Sequence, residues 1–170
     1  TGTSQGIPMI ASNHPVCLSE DPKDTRLRSS ILISWDKFSY VIDCGPDFRQ
    51  QMLREKIQLI HGVFFTHEHA DHTAGLDDLR PFCYKIGDMP IYLDERTLES
   101  LELRFQYIFS KENRYPGAPS VTSNIVANAP FFVDDLKITP IEVMHGTLPV
   151  TAYRFLDFAY LTDMKSITKQ

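Results

Sequence analysis

Four apolar runs in this 170-residue chain each end on an ionisable residue: Tyr40-Val41-Ile42-Asp43, Val63-Phe64-Phe65-Thr66-His67, Val143-Met144-His145 and Tyr160-Leu161-Thr162-Asp163. Short, wholly apolar runs of this kind read as buried strands. An ionisable group just past a buried strand stands at the edge of a sheet, fixed by a rigid element yet open to solvent. Metal-binding and catalytic groups belong in such places, because the scaffold holds their geometry. Any one strand can end on a polar residue for no chemical reason. That four of them end on Asp or His argues against that bland reading.

The remaining pattern fills in that frame. Residues 1–28 read as loop, broken by Gly2, Gly6, Pro8, Pro15 and Pro22. Residues 30–35 and 39–43 predict a hairpin about Asp36-Lys37. A helix is expected over 48–56, a short one over 72–80, and the clearest over 95–109, where Leu98, Leu101, Phe105 and Ile108 trace one face. Residues 110–124, with Pro116, Gly117 and Pro119, read as a surface loop. Strands are expected at 63–66, 90–93, 125–128, 131–133, 136–144, 152–156 and 159–162. Strands interspersed with helices indicate α/β or α+β layering in one domain over residues 1–170.

Composition narrows the partners. The net charge is −5, and no cluster of Lys and Arg is denser than Arg26–Arg28. Affinity for nucleic acid comes largely from phosphate neutralisation by a basic face, so a nucleic-acid partner is disfavoured and a small anionic substrate is not. Cys17, Cys44 and Cys83 are odd in number and widely spaced, which is no disulfide framework. Cys44 and Cys83 read as packed thiols and His61 as a surface residue. No run approaches a membrane span of about 18 apolar residues. The reducing cytoplasm is the expected location, although the chain opens at Thr1 without a methionine or a visible leader.

The densest chemistry lies in His67-Glu68-His69-Ala70-Asp71-His72. If the chain stays extended through 67–69, both histidines project to one side, and a turn then brings Asp71 and His72 toward the same point. Three imidazoles and a carboxylate so close together suit a borderline cation: Zn²⁺, or Mn²⁺ and Fe²⁺ where oxygen ligands add up. The bland alternative is a solvated turn with Asp71 as the cap of the next helix; Asp71 can also do both. Glu68 reads as solvated.

His-x-His-x-Asp-His after a buried strand resembles the signature of the metallo-β-lactamase superfamily. Several flanking segments are similar to one branch of it, the PhnP-like phosphodiesterases: Gly2-Thr3-Ser4-Gln5-Gly6-Ile7-Pro8, residues 21–30, Asp43-Cys44-Gly45, residues 75–82 and Tyr160-Leu161-Thr162-Asp163. The resemblance implies an αββα four-layer sandwich of two mixed sheets with the metal site at one edge. It implies that His67, His69 and His145 hold one divalent metal, Zn or Mn. Asp71 and His72 hold a second, and Asp163 bridges both. Asp71 and Asp163 are then the carboxylates expected in catalysis. Asp43 would support the site from behind, or serve only as a turn former.

The resemblance also implies incompleteness at both ends. The family's first strand would precede Gly2, and the histidine that completes its second metal would follow Gln170. Self-association through unpaired sheet edges would follow from that. Relatives carry a structural zinc site in the N-terminal loop; here only His14 and Cys17 offer ligands, so a further structural Zn and a loop that has lost it stay open. Arg80 and Arg28 are candidates for orienting a substrate phosphate, or form salt bridges to Asp77, Asp78 or Asp24. The expected reaction is metal-dependent hydrolysis of a small phosphodiester, cyclic esters included, by a hydroxide between two cations. The alternatives are tRNA 3′-end processing, carboxylic or thioester hydrolysis, and a non-enzymatic metal-binding domain.

Overall fold

The computed structural model describes residues 3–110, 112 and 114–167. Strands β1 (Ile31–Trp35) and β2 (Phe38–Ile42) form the expected hairpin, turned through Asp36 at φ +49°. β2 then pairs in parallel with β3 (Gly62–Phe64), β3 with β4 (Met89–Leu93) and β4 with β5 (Val121–Ile125), giving a mixed sheet in the order β1-β2-β3-β4-β5. The second sheet is antiparallel throughout, where a mixed one was expected. Its order is β10 (Ser166–Ile167), β7 (Leu136–His145), β8 (Leu148–Phe155), β9 (Phe158–Tyr160), with β6 (Phe131–Val133) also pairing β7.

Alternation along the strands separates two cores. Val41, Val63, Ile91 and Leu93 face the helices α1 (Phe48–Arg54), α3 (Arg80–Ile86) and α4 (Glu95–Arg104), which contribute Phe48, Met52, Phe82 and Leu101. Tyr40, Ile42, Phe64 and Tyr92 face the second sheet and meet Ile138, Tyr153 and Phe155. Phe64 is the centre of that layer, stacked on Tyr92 at 4.7 Å and packed on Tyr153 at 5.2 Å between centroids. The described residues thus form helix, sheet and sheet layers. On the outer face of the second sheet Phe132 and Leu156 are exposed. No helix is long and apolar enough to cross a membrane among the described residues.

Several elements differ from expectation. The strand expected at 125–128 lies at Val121–Ile125, sharing only Ile125 with the expected strand and otherwise inside the expected loop. Its Thr122-Ser123-Asn124 centre hides it in sequence, whereas in space it completes a parallel ladder on β4, with Asn124 Nδ2 donating to the Ile91 carbonyl. The helix expected over 72–80 is three pieces: α2 (Ala70–Thr73), a 3₁₀ turn over Leu76–Leu79, and α3. Pro81 does not stop α3 because it sits in the first turn, where no amide donor is needed. The long helix breaks at Phe105 (φ −121°, ψ 43°) into α4 and α5 (Gln106–Phe109), so that Phe105, Ile108 and Phe109 all reach the helix-side core. β8 begins at Leu148 rather than 152, because Gly146 at φ +69° makes a tight turn directly after β7.

Candidate metal centre

The parallel strands β2 and β3 point the same way, so Asp43, Thr66 and His67 emerge together at one sheet edge. Across the gap the second sheet brings His145, the last residue of β7, and Asp163, just past β9. The sheets are joined at this edge by Thr151 N donating to the Thr66 carbonyl (2.8 Å) and by the Tyr153 hydroxyl donating to the Phe65 carbonyl (2.7 Å). His69 remains extended (φ −58°, ψ 147°) and caps α2, whose first turn carries Asp71 and His72.

The four motif residues converge with His145 and Asp163, the two that the resemblance adds. His67, His69 and Asp163 have ligand-type atoms within 4.8 Å of one another, as do Asp71, His72 and Asp163. Asp163 Oδ2 is common to both groups: it lies 3.8 Å from His67 Nε2, 3.5 Å from His72 Nε2 and 3.8 Å from His145 Nε2. The His145 ring is 5.5 Å from that of His69. His72 Nε2 is 3.2 Å from Asp71 Oδ2.

Hydrogen bonds behind the cluster select the imidazole tautomers. Asp43 is fully buried at φ +62°. Its carboxylate accepts from Thr66 N (2.9 Å), from the Thr66 hydroxyl (2.9 Å) and from His72 Nδ1 (2.7 Å). With its hydroxyl hydrogen given to Asp43, Thr66 Oγ1 must accept at the 3.0 Å contact with His67 Nδ1. His67 therefore carries its proton on Nδ1 and turns the Nε2 lone pair into the cluster. That Nε2 is buried without a hydrogen-bond partner. Burial, with the neighbouring charges of His72, His69 and His145, pulls the His67 pKa down to about 2, so the ring is neutral. Burial opposes a charged His72 as well. There the bond to Asp43 and the charges of Asp43, Asp71 and Asp163 prevail and push it up to about 9.

These features fit divalent metal. An orphaned, neutral Nε2 at full burial is costly unless an electrophile faces it. Two ligands each about 2.0–2.1 Å from one tetrahedral zinc stand about 3.4 Å apart, close to the nitrogen-to-Asp163 spacings here. A cation beside His72 would also take the place of the proton that otherwise holds it between two carboxylates.

Two glycines let the loops approach. A Cβ on Gly45 would lie 2.0 Å from the Asp71 carbonyl oxygen, and one on Gly75 2.3 Å from the Gly45 oxygen. The Asp43-Cys44-Gly45 turn therefore packs directly under the Asp71-His72 turn.

Other expectations turn out differently. Glu68 is not solvated: its Oε1 accepts from Arg96 at 3.0 Å. His61 is no mere surface residue, since its Nδ1 accepts from Ser39 N at 3.1 Å and its ring meets Phe38 edge-on. Arg28 is bound to Asp47 (2.9 Å), a partner not anticipated, and to the Ser4 carbonyl. Arg80 is paired with Asp77 at 2.8 Å, which is one of the salt bridges expected for it. Both guanidinium groups are thus committed to neighbours outside the cluster. His14 Nδ1 accepts from Val16 N and Cys17 Sγ from Met9 N; neither joins a group of three ligand-type residues among the described residues. Cys44 and Cys83 are buried free thiols, as expected. Thr66, Arg96 and Arg104 were not anticipated at all, and no local pattern marks them.

The β-lactamase superfamily domain family matches residues 39–170, and the chain belongs to that family. Among solved structures it is similar to a diphosphatase of the PhnP family, at 38% identity and a TM-score of 0.89, over 99% of this chain and 64% of that one. An octanoyltransferase from Porphyromonas gingivalis is 42% identical over 172 residues, which is 100% of this chain but 35% of that protein. A ribonuclease Z from Borreliella burgdorferi is 39% identical over 57 residues, 32% of this chain and 18% of its own length. The chain therefore spans about a third of the octanoyltransferase and just under two thirds of the diphosphatase.

Proposed function

We propose that this chain carries the binuclear metal centre of a hydrolase and that the intact protein cleaves a small phosphodiester. The observation that carries the reading is Asp163 Oδ2, set 3.5–3.8 Å from the Nε2 atoms of His67, His72 and His145. His67, His69 and His145 would hold one divalent cation, Asp71 and His72 the other, and Asp163 both. Such a pair supplies an acidified water and neutralises phosphoryl oxygens. Thr66 and Asp43 keep the Nε2 lone pairs of His67 and His72 turned inward, and Asp163 offers the negative charge that lets two cations sit side by side. The likeness to a PhnP-family diphosphatase supports phosphoryl chemistry. The substrate is small and anionic, met in a reducing cytoplasm. The net charge of −5 and the absence of a dense basic cluster weigh against tRNA.

One observation favours a second reading, acyl ester or thioester hydrolysis at the same centre: the 42% identical relative is named an octanoyltransferase. The intact protein, chelated and then reloaded with Mn²⁺ or Zn²⁺, should regain cleavage of bis(p-nitrophenyl) phosphate and leave an octanoyl thioester intact. Cleavage of the thioester alone would replace the first reading by the second. Metal uptake with neither activity would leave a metal-binding domain.

A further inference from the structure

Helix α4 contributes none of the six clustered residues, yet two of its arginines grip the loop that carries four of them. Arg104 donates to the Glu68 carbonyl (2.7 Å) and to Thr73 Oγ1 (3.1 Å), and Thr73 Oγ1 donates onward to the His69 carbonyl (2.8 Å). Both contacts lie on the first sheet's loop. Arg96 does something different. Its Nη1 donates to Glu68 Oε1 at 3.0 Å, between His67 and His69. Its Nη2 donates to the Pro149 carbonyl at 2.6 Å, on β8 of the second sheet. Pro149 pairs in register with Met144, one step from the pairing of Leu148 with His145. A single planar guanidinium thus ties the His67–His69 segment to the hairpin that ends in His145.

We infer that Arg96 is a positioning residue that sets the distance between His145 and the His67/His69 pair, and through it the affinity of the first cation. The inference rests on the metal reading. Three candidate ligands of one ion come from two sheets, so their spacing depends on how those sheets are held at this edge. The ties from Thr151 and Tyr153 act at Thr66 and Phe65, before the ligands begin. Arg96 acts at their own level. A guanidinium suits this because its planar fork holds two acceptors at fixed separation, which an ammonium cannot. Asp94 Oδ2, 3.7 Å away, helps to aim the fork. Glu68, at a position of the motif that offers no ligand, is the handle through which the second sheet is linked to the metal loop.

The test uses the full protein, with zinc affinity measured by chelator competition and the cobalt-substituted spectrum recorded. Arg96→Met should weaken the first cation by about 10- to 100-fold, the usual cost of losing a group that orients ligands. It should shift the cobalt ligand-field bands and leave the metal-free melting temperature close to wild type. Arg96→Lys should recover only part of the affinity. Wild-type affinity and spectrum in Arg96→Met would overturn the proposal, as would a fall in melting temperature with the spectrum unchanged. Should that variant fail to fold, Glu68→Leu cuts the same link from the loop side, and unchanged affinity there overturns it equally. Wild-type protein that takes up neither zinc nor cobalt would instead remove the metal reading itself.

Discussion

Asp43 Oδ2 stands 2.7 Å from His72 Nδ1, with the two side chains 0% and 2% exposed. The carboxylate also accepts two bonds from Thr66, so one buried group orients His72 directly and His67 through the threonine hydroxyl. In Asp43→Asn one oxygen becomes an amide donor that faces either Thr66 N–H or His72 Nδ1–H. One of those donors then loses its acceptor, at about 1–3 kcal/mol. The second cation should bind about 10- to 100-fold more weakly. Urea unfolding and metal titration of the variant measure the two effects, and unchanged binding would show Asp43 to be only a turn former.

Gly45→Ala should damage the centre without touching a ligand. The added methyl meets the Asp71 carbonyl at 2.0 Å and must push the Asp71-His72 turn outward. Overpacking of this kind costs about 1–3 kcal/mol. Elemental analysis should find less than the wild-type metal content.

Asp163→Ala should impair turnover far more than folding. Its carboxylate is 28% exposed at the mouth of the cluster, and in the proposed binuclear centre its removal would leave two cations facing each other without a shared anion. The expected signature is loss of one metal and near-background hydrolysis, with the melting temperature of the chelated protein nearly unchanged. A structural role would reverse that pattern.

Phe64→Ala tests the layer between the sheets. Phe64 is fully buried against Tyr92, Tyr153 and Phe155. Truncating it should cost about 3–5 kcal/mol in denaturant unfolding. The metal loop begins three residues later, so metal affinity should fall with it.

Saturating metal should raise stability by mass action. At a free concentration of 100 times Kd the gain is about 2.7 kcal/mol per independent site. A calorimetric scan of wild-type protein before and after chelation should show the lower melting temperature in the chelated sample.

How much of this was legible in sequence follows the range over which each feature is specified. The hairpin about Asp36, the apolar run of β3 and the His67–His72 cluster are written within a few residues, because a strand's alternation and a ligand's chemical type are local properties. The four strand-end residues Asp43, His67, His145 and Asp163 do come together, since parallel β2 and β3 must end at the same edge and the second sheet closes over it. What local pattern could not specify were partners chosen across the chain. β5 exists because β4 offers it an edge, not because Thr122-Ser123-Asn124 favours a strand. Arg28 found Asp47, 19 residues away, so its charge is already matched. Glu68 looked solvated until α4 placed Arg96 over it, 28 residues away. Thr66 gained its role only when Asp43 folded behind it and dictated which way its hydroxyl must point. The types of side chain at the centre were thus set by the sequence. Their tautomers, spacing and support were decided by the tertiary structure, because each depends on a hydrogen-bond partner that only the packed sheets bring within reach.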